Sequence, residues 1–170
     1  MYKNLRQYVN FLESRGELLR VGEFVDPRLE MSEVADRMSK QPGGGKALLF
    51  ENSGADFPVL MNMMGSVRRM SYTLGVEALD DVEKKIDGFF SALAQPRQSL
   101  WEKLRLLPTL RQAARWLPRV VRGAASCRQV VAPVPDLNKL PILQCWPHDG
   151  GRFITLPLVH TRDLHSGARN

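Results

Sequence analysis

Cysteine is scarce: the chain of 170 residues has two, Cys127 and Cys145. Two thiols cannot build a disulfide framework, and their spacing fits no zinc motif. Reduced, structural thiols in a cytosolic protein are expected. Histidine is also rare, with His148, His160 and His165 the three present. No two of them stand at helical H-x-x-x-H spacing, so a metal site made from these alone is not expected. The sequence contains no Gly-x-Ser-x-Gly elbow, which leaves a serine nucleophile unsupported. Long apolar runs are missing too, none nearing the ~18 residues that a membrane span needs. The opening stretch MYKNLRQYVNFLESRGE has no signal-peptide apolar core. The expectation is a soluble, cytoplasmic protein.

A hydrophobic share of 44% is ordinary for a globular protein. The length suits one domain, or one plus part of another, and such a chain buries roughly two thirds of its unfolded surface. The net charge of +6 is local. Between Arg97 and Arg128 eight Lys/Arg face one acid, Glu102. Such a segment suits nucleic acid, an anionic membrane surface or an acidic partner subunit, or is simply a solvated helix face. Aromatic residues among these charges are sparse apart from Trp101 and Trp116, and no recognition motif matches, so nucleic acid is not expected.

Leu5, Tyr8, Val9 and Leu12 repeat at helical spacing, and Gly16 supplies a stop. Glu17–Val21 reads as a short strand. Asp26 and Pro27 are expected to open a second helix, which carries Met31, Val34, Ala35 and Met38. QPGGG breaks it. Lys46–Asn52 reads as a buried strand and Phe57–Gly65 as another. Ser66 is placed to cap a short helix bearing Arg68 and Arg69. Leu79, Val82, Ile86, Phe89 and Leu93 form a further helical stripe, with Asp80 and Asp81 at its positive end. Alternating helices and strands indicate an α/β layer structure. Ser99 and Glu102 have capping-box spacing, Pro108 interrupts the helix they open, and Leu110–Leu117 suits another helical piece before Pro118.

Beyond Arg128 the character changes. Pro133, Pro135, Pro141 and Pro147 prefer extended, edge-like backbone. GRFITLPLVHTR (Gly151–Arg162) alternates as a strand, and DLHSG reads as a hairpin turn with Gly167 free to take positive φ. Residues 129–170 therefore read as the opening of a β domain.

Several motifs reduce to structure. GGGK (Gly43–Lys46) lacks the following Ser/Thr and the strand-to-helix setting of a phosphate loop, so it reads as a turn. Met61, Met63, Met64 and Met70 read as core filler. His148–Asp149 could orient one imidazole but shows no third partner. Two glycines in DGG (Asp149–Gly151) allow close backbone approach.

The order of LESRGELLRV, VDPRLEMSEVADR, KALLFEN, FPVLMNMMGS, PDLNKLPILQCWPHDGGRFIT and TRDLHSGARN resembles the UbiD-type decarboxylases. The resemblance covers nearly the whole chain, and its block from Leu137 to Thr155 is specific. It implies an N-terminal α/β domain over residues 1–128. Residues 129–170 would then be the entry of a flavin-binding split β-barrel, truncated inside its first hairpin, because family members are much longer. The implied activity is non-oxidative decarboxylation of aromatic or α,β-unsaturated carboxylic acids. It uses prenylated FMN supplied by a flavin prenyltransferase, with manganese and potassium, commonly in a homo-oligomer. Asn170 matches the asparagine of the family's Asn-x-Gly-x-Tyr-Arg motif, a metal ligand, and an amide oxygen suits a hard divalent ion. Thr155 matches a position near the cofactor. No catalytic residue of the family falls within the chain, so this polypeptide is expected to be inactive by itself. SKQPGGGKALLFENSGADFPVLMNMMGS and CWPHDGGRFITLPLVHTRD are more similar to menaquinone-pathway members than to those acting on octaprenyl-hydroxybenzoate. That similarity implies a naphthoate-type acid in quinone biosynthesis. The alternative is a non-catalytic interaction module whose basic segment, Arg97–Arg128, docks a partner subunit or an anionic surface.

Overall fold

The computed structural model describes residues 2–94, 107–114 and 123–170. The chain divides into two compact units, one of residues 2–69 with 136–170 and one of residues 70–135.

In the first unit, helix α1 (Leu5–Ser14) is capped by Asn4, whose side-chain oxygen accepts the Gln7 N–H at 3.0 Å. Such a cap satisfies one of the orphan donors at a helix start. Tyr8, Val9 and Leu12 bury the inner face. Gly16, at φ +67°, turns the chain into strand β1 (Leu18–Phe24). Helix α2 (Glu30–Ser39) crosses over to strand β2 (Ala47–Asn52), which pairs parallel with β1 from Leu18 opposite Ala47 onward. Parallel neighbours require such a crossover. The short strand β3 (Val59–Met61) then pairs antiparallel with β2, giving a mixed sheet in the order β1-β2-β3.

β2 is central, and Ala47, Leu48, Leu49 and Phe50 are all buried, as its unbroken apolar run requires. Met31 from α2, Leu48 and Phe50 from β2, and Leu143 from the distant C-terminal stretch form one core cluster.

α2 starts three residues later than the Asp26–Pro27 signal suggests. Residues 27–29 serve a different partner: Arg28 bridges Gln144 in parallel, the Leu29 N–H donates to the Gln144 carbonyl at 2.9 Å, and the Gln144 N–H donates to the Pro27 carbonyl at 3.2 Å. Asp26 still organises the entry, its carboxylate accepting the Arg28 N–H at 2.7 Å. Backbone pairing has outcompeted the earlier helical turn, leaving Leu29 at φ +68°.

The strand expected over Gly151–Arg162 does not form. Phe153 bridges Leu143 and Arg162 bridges Arg169, and these are isolated bridges. Pro157 has no N–H to give a ladder, Leu156 sits at φ +56°, and no neighbouring strand accompanies this stretch among the described residues. Leu156, Leu158 and Leu164 are consequently 84%, 90% and 96% exposed. The DLHSG turn does form. The Asp163 N–H donates to the Ala168 carbonyl at 2.8 Å, with Gly167 at φ +70°.

In the second unit, the later part of α3 (Val67–Leu74) leads to α4 (Asp80–Ala94) and α5 (Leu107–Ala114). Asp81 accepts the Ala78 N–H at 3.2 Å and the Lys84 ammonium at 3.1 Å, a charged cap at the positive end of α4. The apolar stripe of α4 is incompletely covered: Val82 and Phe89 are half-buried and Ile86 is exposed. Pro108 lies within the described α5. The capping pair Ser99 and Glu102, Trp101 and Trp116, and most of the basic segment lie outside the described residues.

Candidate functional site

The first unit carries an uncharged cleft of about 750 Å³. One wall is the end of β3 and the following turn, Met61–Gly65. Leu140–Leu143 and Phe153–Leu156 make further walls, and Thr155 is the hydroxyl-bearing residue of the lining. A mostly apolar concavity with few polar groups is the usual form of a small-molecule site.

The β3 turn is held by a polar knot. Asn62, at φ +52°, donates from its side-chain nitrogen to the carbonyls of Gly44 and Lys46, both at 2.8 Å. Arg69 is fully buried. Its guanidinium donates to the Gly45 carbonyl at 2.6 Å, the Gly44 carbonyl at 3.2 Å and Glu17 Oε2 at 3.0 Å. Ser66 Oγ accepts the Arg69 N–H at 3.1 Å, which is the expected cap. Tyr8 of α1 donates its hydroxyl to the Arg69 carbonyl at 3.2 Å. The GGGK turn thus serves as a cluster of acceptors. Its carbonyls point inward at cations and amides, and a Cβ on Gly44 would stand 1.8 Å from the Gly65 carbonyl oxygen.

Asn170 lies in the exposed terminal hairpin. Its side-chain oxygen accepts the Thr161 N–H at 2.8 Å and its nitrogen donates to the Val159 carbonyl at 3.0 Å. Asn170 is absent from the cleft lining that holds Thr155. Among the described residues no group of three or more His, Cys, Asp or Glu converges in a way that could hold a metal. One amide oxygen does not bind a divalent ion alone. The cleft lining has no charged group to meet a flavin phosphate. The described residues by themselves therefore complete neither a metal site nor a flavin site.

His148 and Asp149 do not pair in the manner considered. The Asp149 carboxylate instead accepts the N–H groups of Cys145 and Trp146, at 3.1 and 2.8 Å, and closes a turn. Both cysteines are free thiols, Cys127 exposed and Cys145 half-buried. Of the methionines read as filler, Met61 packs on the core cluster, while Met63 and Met64 line the cleft. Asn62 and Glu17 carried no individual signal. The spacing that could have revealed the knot is Asn62, Gly65, Ser66 and Arg69, with a cap and a buried charge on one turn of helix.

A mixed sheet crossed by helices defines an α/β domain, and comparison with known proteins gives its family. Residues 9–87 match the family model of the 3-octaprenyl-4-hydroxybenzoate carboxy-lyase N-terminal domain, and residues 119–170 match that of the same enzyme's Rift-related domain. The chain belongs to the UbiD family. It is 42% identical to an uncharacterized protein of Aquifex aeolicus and 45% identical to one of Archaeoglobus fulgidus. Each match covers 99% of this chain, and the chain spans about a third of the relatives' length, 35% and 34%. Among solved structures, it is similar to an evolved dimeric form of the UbiD-class enzyme HmfF from Pelotomaculum thermopropionicum in complex with prFMN. That similarity has a TM-score of 0.65 at 28% identity, over 99% of this chain and 34% of that one. The vanillic acid decarboxylase of Sedimentibacter hydroxybenzoicus in its closed form shares the fold, with a TM-score of 0.64 at 23% identity, over 89% of this chain and 29% of that one.

Proposed function

We propose that this chain is the N-terminal portion of a prenylated-FMN-dependent carboxy-lyase that decarboxylates an aromatic carboxylic acid. The observation that carries the reading is the joint match of two UbiD domains in family order, together with the likeness to HmfF, solved with prFMN. In this reading residues 1–128 are the N-terminal domain and residues 129–170 open the flavin-binding barrel. Thr155 would stand beside the flavin and Asn170 would give one ligand to manganese, potassium being the monovalent ion of the set. The bound flavin supplies the electron sink for loss of carbon dioxide. This chain supplies an apolar wall, which keeps water from the aromatic body of the acid. The barrel residues exposed here, Leu158 and Leu164 foremost, are covered by the rest of the polypeptide. The substrate is a naphthoate-type quinone precursor, the flavin prenyltransferase delivers the cofactor, and the working form is a homo-oligomer. The compartment is the cytoplasm; no helix among the described residues is long and apolar enough to cross a membrane.

The test is to co-express the gene's whole reading frame with a flavin prenyltransferase. The bound-flavin spectrum and carbon dioxide release from naphthoic and hydroxybenzoic acids are then measured. A modified-flavin spectrum with release from a naphthoic acid is expected, and none from residues 1–170 alone. A protein that takes up no flavin and releases no carbon dioxide sinks the proposal.

A further inference from the structure

We infer that Asn62 is a positioning residue whose amide straps the Gly44–Lys46 turn to the end of β3, and so sets where the Met63–Gly65 wall stands in the Thr155 cleft. The inference rests on the reading that this cleft takes an apolar ligand body.

Three observations converge on the strap. Asn62 occupies the left-handed region, which asparagine tolerates better than most non-glycine residues, and its amide bonds fix it there. Its two donor bonds, both 2.8 Å, reach across to a turn 16 and 18 residues earlier in the chain. The approach is also close enough to exclude any side chain at position 65: a Cβ there would stand 1.7 Å from Asn62 Oδ1. The Gly65 N–H closes the turn on the Asn62 carbonyl at 3.2 Å. The carbonyl of Gly44 is shared between Asn62 and the buried Arg69. A displaced Asn62 would therefore disturb a desolvated cation, which resists movement strongly. Met63 and Met64 follow Asn62 directly and face the cleft. A methionine wall conforms to its ligand, so its placement comes from the backbone beneath it. Asn62 acts through that backbone.

The test titrates the encoded chain with the uncharged fluorophore 1-N-phenylnaphthylamine. Asn62→Gly keeps the left-handed backbone accessible and deletes the amide. Expected is a roughly tenfold weaker Kd for the probe with cooperative melting retained. Met64→Ala is expected to weaken binding in the parent background and to add little in the Asn62→Gly background, because both changes act on one wall. Unchanged affinity in Asn62→Gly, additive effects of the pair, or a parent chain that ignores the probe each overturn the inference. Should Asn62→Gly not fold, amide exchange in the unaltered chain decides. Slow exchange at Gly65 N–H supports the strap, and exchange at the rate of an open turn refutes it. Absence of carbon dioxide release bears on the decarboxylase reading alone, since the titration needs no turnover.

Discussion

The side-chain oxygen of Asn170 accepts the backbone N–H of Thr161 at 2.8 Å, so this amide holds the two arms of the terminal hairpin together. An amide oxygen has two lone pairs, and one is already engaged. A metal at Asn170 Oδ1 would take the other. Replacing Asn170 by Asp keeps the acceptor for Thr161 and loses the donor to Val159, whereas Asn170→Ala loses both. A hydrogen bond of about 1 kcal/mol corresponds to roughly fivefold in opening. Thr161 amide exchange is expected to quicken by about that factor in Asn170→Ala and to stay near parental in Asn170→Asp. Equal rates in all three chains would show that the amide does not close the hairpin.

Asp163 governs the same hairpin through pH. Its carboxylate accepts the N–H and hydroxyl of Ser166, at 2.5 and 2.7 Å, and the N–H of His165 at 3.0 Å. The bonds to Ser166 foremost, then that to His165, hold its carboxyl below the usual aspartate range. A depressed folded-state pKa means that the turn is stabilised above the unfolded value, near 3.9. That support is lost as pH falls through the lower folded value. Amide shifts of His165 and Ser166 should titrate together with a midpoint below that of a free aspartate. A midpoint at or above it contradicts the assignment.

Buried Arg69 and half-buried Glu17 pair at 3.0 Å, with Glu17 also accepting from the exposed Arg68 at 3.0 Å. Arg69→Met would take the guanidinium from the Gly45 carbonyl, and from the Gly44 carbonyl and Glu17, which keep Asn62 and Arg68 respectively. Leaving a buried acceptor short of its donor costs about 1–3 kcal/mol. Denaturant melts should show a loss of this size for Arg69→Met, and much less for Arg68→Met, whose partner keeps Arg69. Equal losses would mean that the guanidinium of Arg69 is not the anchor.

Leu143 joins the C-terminal stretch to a core otherwise built from α2 and β2. Leu143→Ala should cost about 2–5 kcal/mol. It should also loosen the Arg28–Gln144 bridge beside it, so limited proteolysis near Trp146–Gly151 should accelerate. A stability loss without new cleavage would uncouple the two.

Elements whose information is local were legible in the sequence: α1 from its stripe and the Gly16 stop, β2 from its apolar run, the cap at Ser66, the turn at Gly167. The start of α2 was not, because Pro27–Leu29 answers to Gln144, more than a hundred residues away. The strand over Gly151–Arg162 was overread. Alternation specifies faces, yet a ladder also needs a neighbour, and Pro157 withholds a donor. Of the candidate site, Thr155 was named by resemblance to a family, and the cleft it lines has no pattern of its own in the sequence. Arg69 entered only as one of two arginines on the short helix that Ser66 caps. Its burial depends on carbonyls of a glycine turn, and glycine turns show no acceptor pattern in sequence.

Leu143 seats itself among Met31, Leu48 and Phe50 roughly 90 residues after the last of them has been synthesised. At ribosomal speeds of about 5–20 residues per second, the nascent sheet waits on the order of 5–20 s with one flank of its interior open. During that interval the growing polypeptide presents β2 and α2 to whatever surrounds the exit tunnel. Shelter by a ribosome-associated chaperone, or a slow stretch of codons after position 145, would bear directly on its yield.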